Sequence, residues 1–227
     1  MKLLLTSDGI NNSSIHDALV GLLGKSIADS NALVVPTASY AMGGPGPAWH
    51  LIAGRADTPL CELGWKSLGV LELTTLPSLD EEQWLAWVQE TDALLVGGGD
   101  ALYLCHWMRQ SGLADLLPSL EAVYVGVSGG SMVMTPHVGA KYVAWKPPTG
   151  GDEALGIVDF AIFPHLDDEE LPNKSIADAE QWAAGIPVPA YAIDGQTAIQ
   201  VTNGNVEVIS EGHWQLFSPS PVASGSD

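Results

Sequence analysis

The chain has 227 residues, 46% of them hydrophobic, and sets 8 Lys and Arg against 27 Asp and Glu for a formal charge of −19. So few basic residues argue against nucleic acid or anionic lipid as partners, because both need clustered Lys and Arg. The apolar runs fall well short of the ~20 residues of a membrane span, and the length predicts one domain over 1–217 with a Ser/Pro/Gly-rich tail over 218–227.

Residues 2–6 form an apolar run that Ser7-Asp8 closes. It is shorter than the ~7–15 residues of a signal-peptide core, so it reads as a first strand in a cytoplasmic protein. Residues 15–23 read as a helix stopped by Gly24, and 32–35 as a strand stopped by Pro36. The Gly/Pro-rich stretch 37–47 reads as a loop. Residues 70–73 are a strand, and a helix begins near Asp80 with Trp84, Leu85, Trp87 and Val88 on one face. A buried strand over 93–96 leads through Gly97-Gly98-Gly99-Asp100 into a helix over 101–109. Further strands are expected at 124–127 and 158–163, with a loop at 146–151 between them. The runs 190–193, 198–201 and 206–209 lie close together, and Asn203-Gly204 between the last two signals a tight hairpin. Repeated strand–helix alternation implies a mostly parallel sheet with helices on both faces, finished by antiparallel C-terminal strands. Cys61 and Cys105 form no CxxC and no metal-ligand spacing, which suits a reducing compartment and two core thiols.

The strongest chemical signal is Gly126-Val127-Ser128-Gly129-Gly130. It matches G-x-S-x-G and stands after a buried strand and before a helix, where a nucleophilic serine is lifted clear of a sheet on a sharp turn. Small neighbours tolerate that turn, and the helix N-terminus behind it offers free N–H groups to a developing oxyanion. A serine needs a base. His165 follows the strand 158–163 through Pro164, so it and Ser128 should both lie at carboxyl ends of strands, where such sheets place their sites. His137 lies nine residues past Ser128, beyond the helix the turn starts. His106 sits in a helix beside Trp107, His213 near a terminal strand, and His16 and His50 have no nucleophile beside them. The acids 167–170 follow His165 too closely to reach back easily and read as a solvated charge run. Asp194 is better placed, at the end of a strand before Gly195, although on spacing alone an ordinary Asp-Gly turn is the stronger account of it. Gly97-Gly98-Gly99-Asp100 fits no nucleotide motif, since G-x-G-x-x-G is absent and no Lys follows. Its alternative use is a second wall of an oxyanion hole. No metal site and no cofactor are expected.

These landmarks together resemble the S51 peptidase family, the group of dipeptidase E and cyanophycinase. They are Leu3-Leu4-Leu5-Thr6-Ser7, Leu95-Val96-Gly97-Gly98-Gly99-Asp100, Gly126 to Ser131, Phe163-Pro164-His165, and Ile193-Asp194-Gly195 followed by Ile199 to Gly204, in that order along nearly the whole chain. The resemblance implies a flavodoxin-like, class I glutamine-amidotransferase-like sheet. It implies Ser128 as nucleophile, His165 as base, Asp194 as the orienting acid, and N–H groups of Gly98, Gly99 and Gly129 around the oxyanion. The substrate would be a short peptide, cleaved through an acyl-enzyme, with another amide or ester hydrolase, or a non-catalytic binding domain, as the alternatives. A homodimer is left open. Some family accounts place the acid shortly after the nucleophile, but residues 135–144 contain neither Asp nor Glu. Where the family commonly has Ala after the serine, this chain has Gly129. Aspartyl-specific members carry basic residues, notably an Arg, after the histidine. Here 167–181 holds only Lys174 amid acids, which predicts no strong preference for an acidic residue at the scissile bond.

Overall fold

The protein is described by a computed structural model over residues 1–219, so most of the expected tail lies outside the described residues. Its main sheet has seven strands in the order β3-β2-β4-β5-β1-β8-β9. Strands β1 (Lys2–Thr6), β2 (Asn31–Val35), β3 (Ser67–Val70), β4 (Ala93–Val96) and β5 (Val123–Val127) run parallel. β8 (Thr197–Thr202) and β9 (Asn205–Ser210) continue it antiparallel. Asn203 and Gly204 turn the β8–β9 hairpin at φ 52° and 83°, the positive values of a two-residue loop.

The central strands are apolar throughout because both of their faces are covered. Successive side chains alternate between two cores. Leu4, Val34, Leu95 and Val125 pack under Ile15, Leu19 and Leu22 of α1 (Ser13–Leu23). Leu3, Leu33, Leu94 and Tyr124 pack under Trp84 and Val88 of α4 (Glu81–Glu90) and Leu102, Cys105 and Met108 of α5 (Ala101–Gln110). Asn12 caps the start of α1 and Gly24, at φ 70°, its end. Both cysteines are free and buried, and burial pushes the Cys61 thiol up to about 12.

Three expectations are corrected. The strand expected at 70–73 is β3 at Ser67–Val70, which ends where that run begins. Residues 37–47 are not a loop but all of α2 (Thr37–Gly43) and the first turn of α3 (Pro45–Ile52). Pro45 and Pro47 fall in the first turn of α3, where the missing N–H groups would have had no intrahelical acceptor, so proline starts this helix and does not break it. The strand before His165 is also shorter and elsewhere. β6 (Ala161–Phe163) belongs to a separate three-stranded sheet with β7 (Ala190–Ile193) and β10 (Trp214–Phe217). The far edge of β1 is taken by β8, so β6 pairs in parallel with β7 instead. Among the described residues no helix is long and apolar enough to cross a membrane.

Candidate active site

Four strand ends converge, those of β1, β4, β5 and β6. β5 ends at Val127, and Ser128 turns the chain into the four-residue helix α7 (Gly129–Met132) at φ 50°, ψ −112°. A non-glycine residue holds such angles only when its surroundings enforce them. The surroundings are close. A Cβ on Gly126 would stand 2.6 Å from the Gly130 carbonyl oxygen, so the glycine two before the serine is required for the helix to fold back. Tyr124 donates to that same carbonyl at 2.6 Å from below.

The glycine loop after β4 packs directly on this turn. Gly98 lies so near that a Cβ there would be 3.3 Å from Ser128 Cβ, and a Cβ on Gly129 would collide with the Gly99 carbonyl. Gly99 has φ 137°, which excludes larger residues on conformation as well as space. Asp100 anchors the loop. One carboxylate oxygen accepts the Leu102 and Tyr103 N–H groups at the start of α5, and the other accepts Trp145 N–H at 2.7 Å. The N–H groups of Gly98, Gly99 and Gly129 donate to no backbone carbonyl among the described residues. They remain available beside the serine hydroxyl.

His165 follows β6 through Pro164 in a left-handed turn, φ 62°. Its Nε2 lies 2.8 Å from Ser128 Oγ. Its Nδ1 lies 2.7 Å from Asp8 Oδ1, with the ring N–H pointing off that line, so the two are in close charge contact without an aligned hydrogen bond. With the ring proton on Nδ1, the nitrogen beside Asp8, Nε2 is free to accept the serine proton. The imidazole and the carboxylate are 15% and 23% exposed, enough to meet a substrate and dry enough to strengthen their attraction.

Asp8, not Asp194, therefore faces His165. The Asp194 carboxylate is turned away into its own corner, where it accepts from Gln196 N–H, Thr197 Oγ1 and His213 N–H and sits 3.0 Å from His213 Nδ1. His213 bridges onward to Asp167 at 2.9 Å. Asp194 is saturated by these neighbours, and what its turn gives the site is room: a Cβ on Gly195 would stand 2.7 Å from Asp8 Oδ2. The other histidines are placed apart from the serine's partner. His137 pairs with Asp152 at 3.2 Å, and His106 meets Trp107 edge-on and Trp145 at a tilt. A cavity of about 940 Å³ bordered by Lys141, Asp152, Asp178 and Trp182 is lined by none of Ser128, His165 or Asp8.

The model of Peptidase family S51 matches residues 3–209. The chain belongs to that family. A curated Drosophila melanogaster protein named "Probable alpha-aspartyl dipeptidase" is 27% identical over 150 residues, which is 61% of this chain and 60% of that protein. The match thus spans about three-fifths of the relative's length. Among solved structures, a protein described as a peptidase E from Listeria monocytogenes EGD-e aligns with TM-score 0.66 at 17% identity, covering 93% of this chain and 98% of that one. A peptidase from an acI-B1 actinobacterium aligns with TM-score 0.68 at 18% identity, covering 96% and 94%. These two likenesses establish the shared α/β fold.

Within this S51 chain, Lys174, the basic residue that follows the histidine turn, is already engaged. Lys174 Nζ donates to Tyr142 Oη at 2.8 Å and to the Pro164 carbonyl at 3.0 Å, and it lies over the Tyr142 and Phe163 rings. Burial, seconded by Lys141, brings its ammonium from the ordinary 10.5 down to about 8. The folded state therefore releases this proton earlier than the unfolded chain. The cost of keeping the amine charged is present below pH ~8 and is relieved as pH rises toward ~10.5. Wild type should gain on the order of 1–2 kcal/mol relative to Lys174→Met between pH 7 and pH 10, after allowance for partial exposure. Urea unfolding of both proteins at pH 7, 8, 9 and 10 measures this. A stability difference that stays flat or falls across that range contradicts the assignment.

Proposed function

We propose that the protein is a serine peptidase that cleaves short peptides through an acyl-enzyme. The observation that carries this reading is the ordered contact of Ser128 Oγ with His165 Nε2 and of His165 Nδ1 with Asp8, built on a strand-to-helix turn in an S51 chain. Ser128 Oγ bonds to the scissile carbonyl carbon while its proton passes to Nε2. The carbonyl oxygen takes the negative charge beside the N–H groups of Gly98, Gly99 and Gly129. Collapse breaks the C–N bond and the imidazolium returns the proton to the leaving amine. Water, deprotonated by the same imidazole, then releases the acyl group. Asp8 holds the ring in the productive tautomer and offsets the imidazolium charge.

The substrate's first residue is proposed to be neutral as readily as acidic. A carboxylate leaving water needs a cation or several donors. The nearest ammonium, Lys174, is spent on Tyr142 and Pro164, while Arg109 donates to the Ala154 carbonyl and Lys141 to that of Asn173. Matched Asp-X, Asn-X and Leu-X dipeptides, followed by mass spectrometry at several salt concentrations, should give kcat/KM values within about a hundredfold of one another, or ~2.7 kcal/mol. A larger preference for Asp-X would restore acidic specificity. Hydrolysis of simple esters with no turnover of any peptide would favour the other hydrolase classes.

A further inference from the structure

Thr6, Ser7 and Asp8 are three consecutive residues at the end of β1, and each holds a different part of the site. The Thr6 carbonyl accepts the Ser128 N–H at 3.0 Å and the Ser131 hydroxyl at 2.8 Å. The Thr6 hydroxyl donates to the Gly126 carbonyl at 2.8 Å and accepts Gly9 N–H at 3.0 Å. Thr6 thus fixes the nucleophile's turn from its backbone side. Asp8 faces the imidazole. Ser7 lies between them, fully buried, and its own N–H reaches the Thr197 carbonyl on β8 at 3.4 Å.

We propose that Ser7 is a positioning residue that holds His165 and Asp8 in register through one hydroxyl. Its Oγ accepts the backbone N–H of His165 at 2.8 Å and donates to Asp8 Oδ2 at 3.3 Å. A hydroxyl is suited to this place because it donates and accepts at once. Neither an alanine nor a carboxylate does both. The donated bond occupies Oδ2 and leaves Oδ1 to the ring. The accepted bond helps hold His165 at φ 62°, a conformation that needs outside support, alongside Leu166 N–H on the Ile193 carbonyl and Lys174 on the Pro164 carbonyl. Removing the hydroxyl frees the turn and the carboxylate together, so the base loses its alignment to Ser128 without any change in what touches the substrate.

The catalytic half of this inference rests on the peptidase reading, whereas the positioning half does not, and two readouts separate them. Amide hydrogen exchange at His165 reports the bond to Ser7 in the intact protein whether or not it turns over substrate. Exchange should be at least ~10-fold faster in Ser7→Ala and near wild type in Ser7→Thr, which keeps the hydroxyl. On a cleaved dipeptide, Ser7→Ala should lower kcat by roughly 10–100-fold with KM within about twofold, and Ser7→Thr should recover most of it. If the threonine methyl is not accommodated, Ser7→Cys, a weaker donor of similar shape, should fall between wild type and alanine. Unchanged His165 exchange in Ser7→Ala overturns the proposal. So does a kcat loss matched by a lower melting temperature and a raised KM, or a well-folded threonine variant as impaired as alanine. If wild type itself cleaves nothing, the peptidase reading fails and the exchange result alone decides whether Ser7 holds the turn.

Discussion

Ser128→Ala is expected to eliminate turnover, lowering kcat by on the order of 10⁴–10⁶ while the melting temperature moves by only a few degrees. The loss is large because, in the proposed mechanism, the hydroxyl is the atom that forms the acyl bond, and it is the group that His165 Nε2 contacts at 2.8 Å. The fold changes little because the features that shape the turn survive. Ser128 N–H still donates to Thr6, its carbonyl still accepts Ser131 and Met132 N–H, and Gly126 and Gly130 still make room for α7. Alanine inherits the same positive φ and gains no relief from it. A fluorophosphonate probe gives the check without a known substrate. Wild type should be labelled at Ser128, and the variant should not be labelled there. Residual hydrolysis near the wild-type rate, or labelling at another serine, would remove Ser128 from the chemistry.

Asp8→Asn and Asp194→Asn should separate sharply. Asparagine at position 8 keeps the shape but presents either a neutral oxygen or an amide N–H to Nδ1. It withdraws the charge that steadies the imidazolium and permits the tautomer that puts a proton on Nε2, so kcat should fall by up to ~10⁴ with KM little changed. Asp194→Asn should leave kcat within a few-fold of wild type and act on stability instead. Asp194 is 7% exposed and its carboxylate accepts from two backbone N–H groups and the Thr197 hydroxyl, so the substitution should cost about 1–3 kcal/mol. Steady-state kinetics and urea unfolding on the two variants measure this pair. A kcat collapse in Asp194→Asn with an active Asp8→Asn would reverse the assignment of the acid.

The alternation of buried runs and helical segments is local, and it was enough to read the parallel sheet, the Asn203-Gly204 hairpin and the turn at Ser128 from the residues themselves. Each depends on backbone preferences and on side-chain periodicity within a few positions. His165 was legible for a related reason: it follows a strand, and strand ends carry sites in such sheets. The helices at 37–52 were not read, because a Gly/Pro cluster that normally breaks a helix here starts one. The acid was misplaced for a deeper reason. Asp8 and Asp194 both stand just past the end of an apolar strand, and nothing in their neighbourhoods along the chain ranks one above the other. Tertiary contacts of the turns decide between them. β1 is hydrogen-bonded to β5, so Asp8 emerges beside the turn that carries Ser128, 120 residues away by number. β7 lies in the second sheet between β6 and β10, so Asp194 follows the strand beside the one that leads to His165, yet its carboxylate is taken by the Gln196, Thr197 and His213 groups of its own corner, while the His165 N–H bonds Ser7 and its ring meets Asp8. Which acid meets the imidazole is set by how the turns after β1, β6 and β7 pack across the two sheets, and such contacts are a property of the assembled fold that no local run of residues encodes.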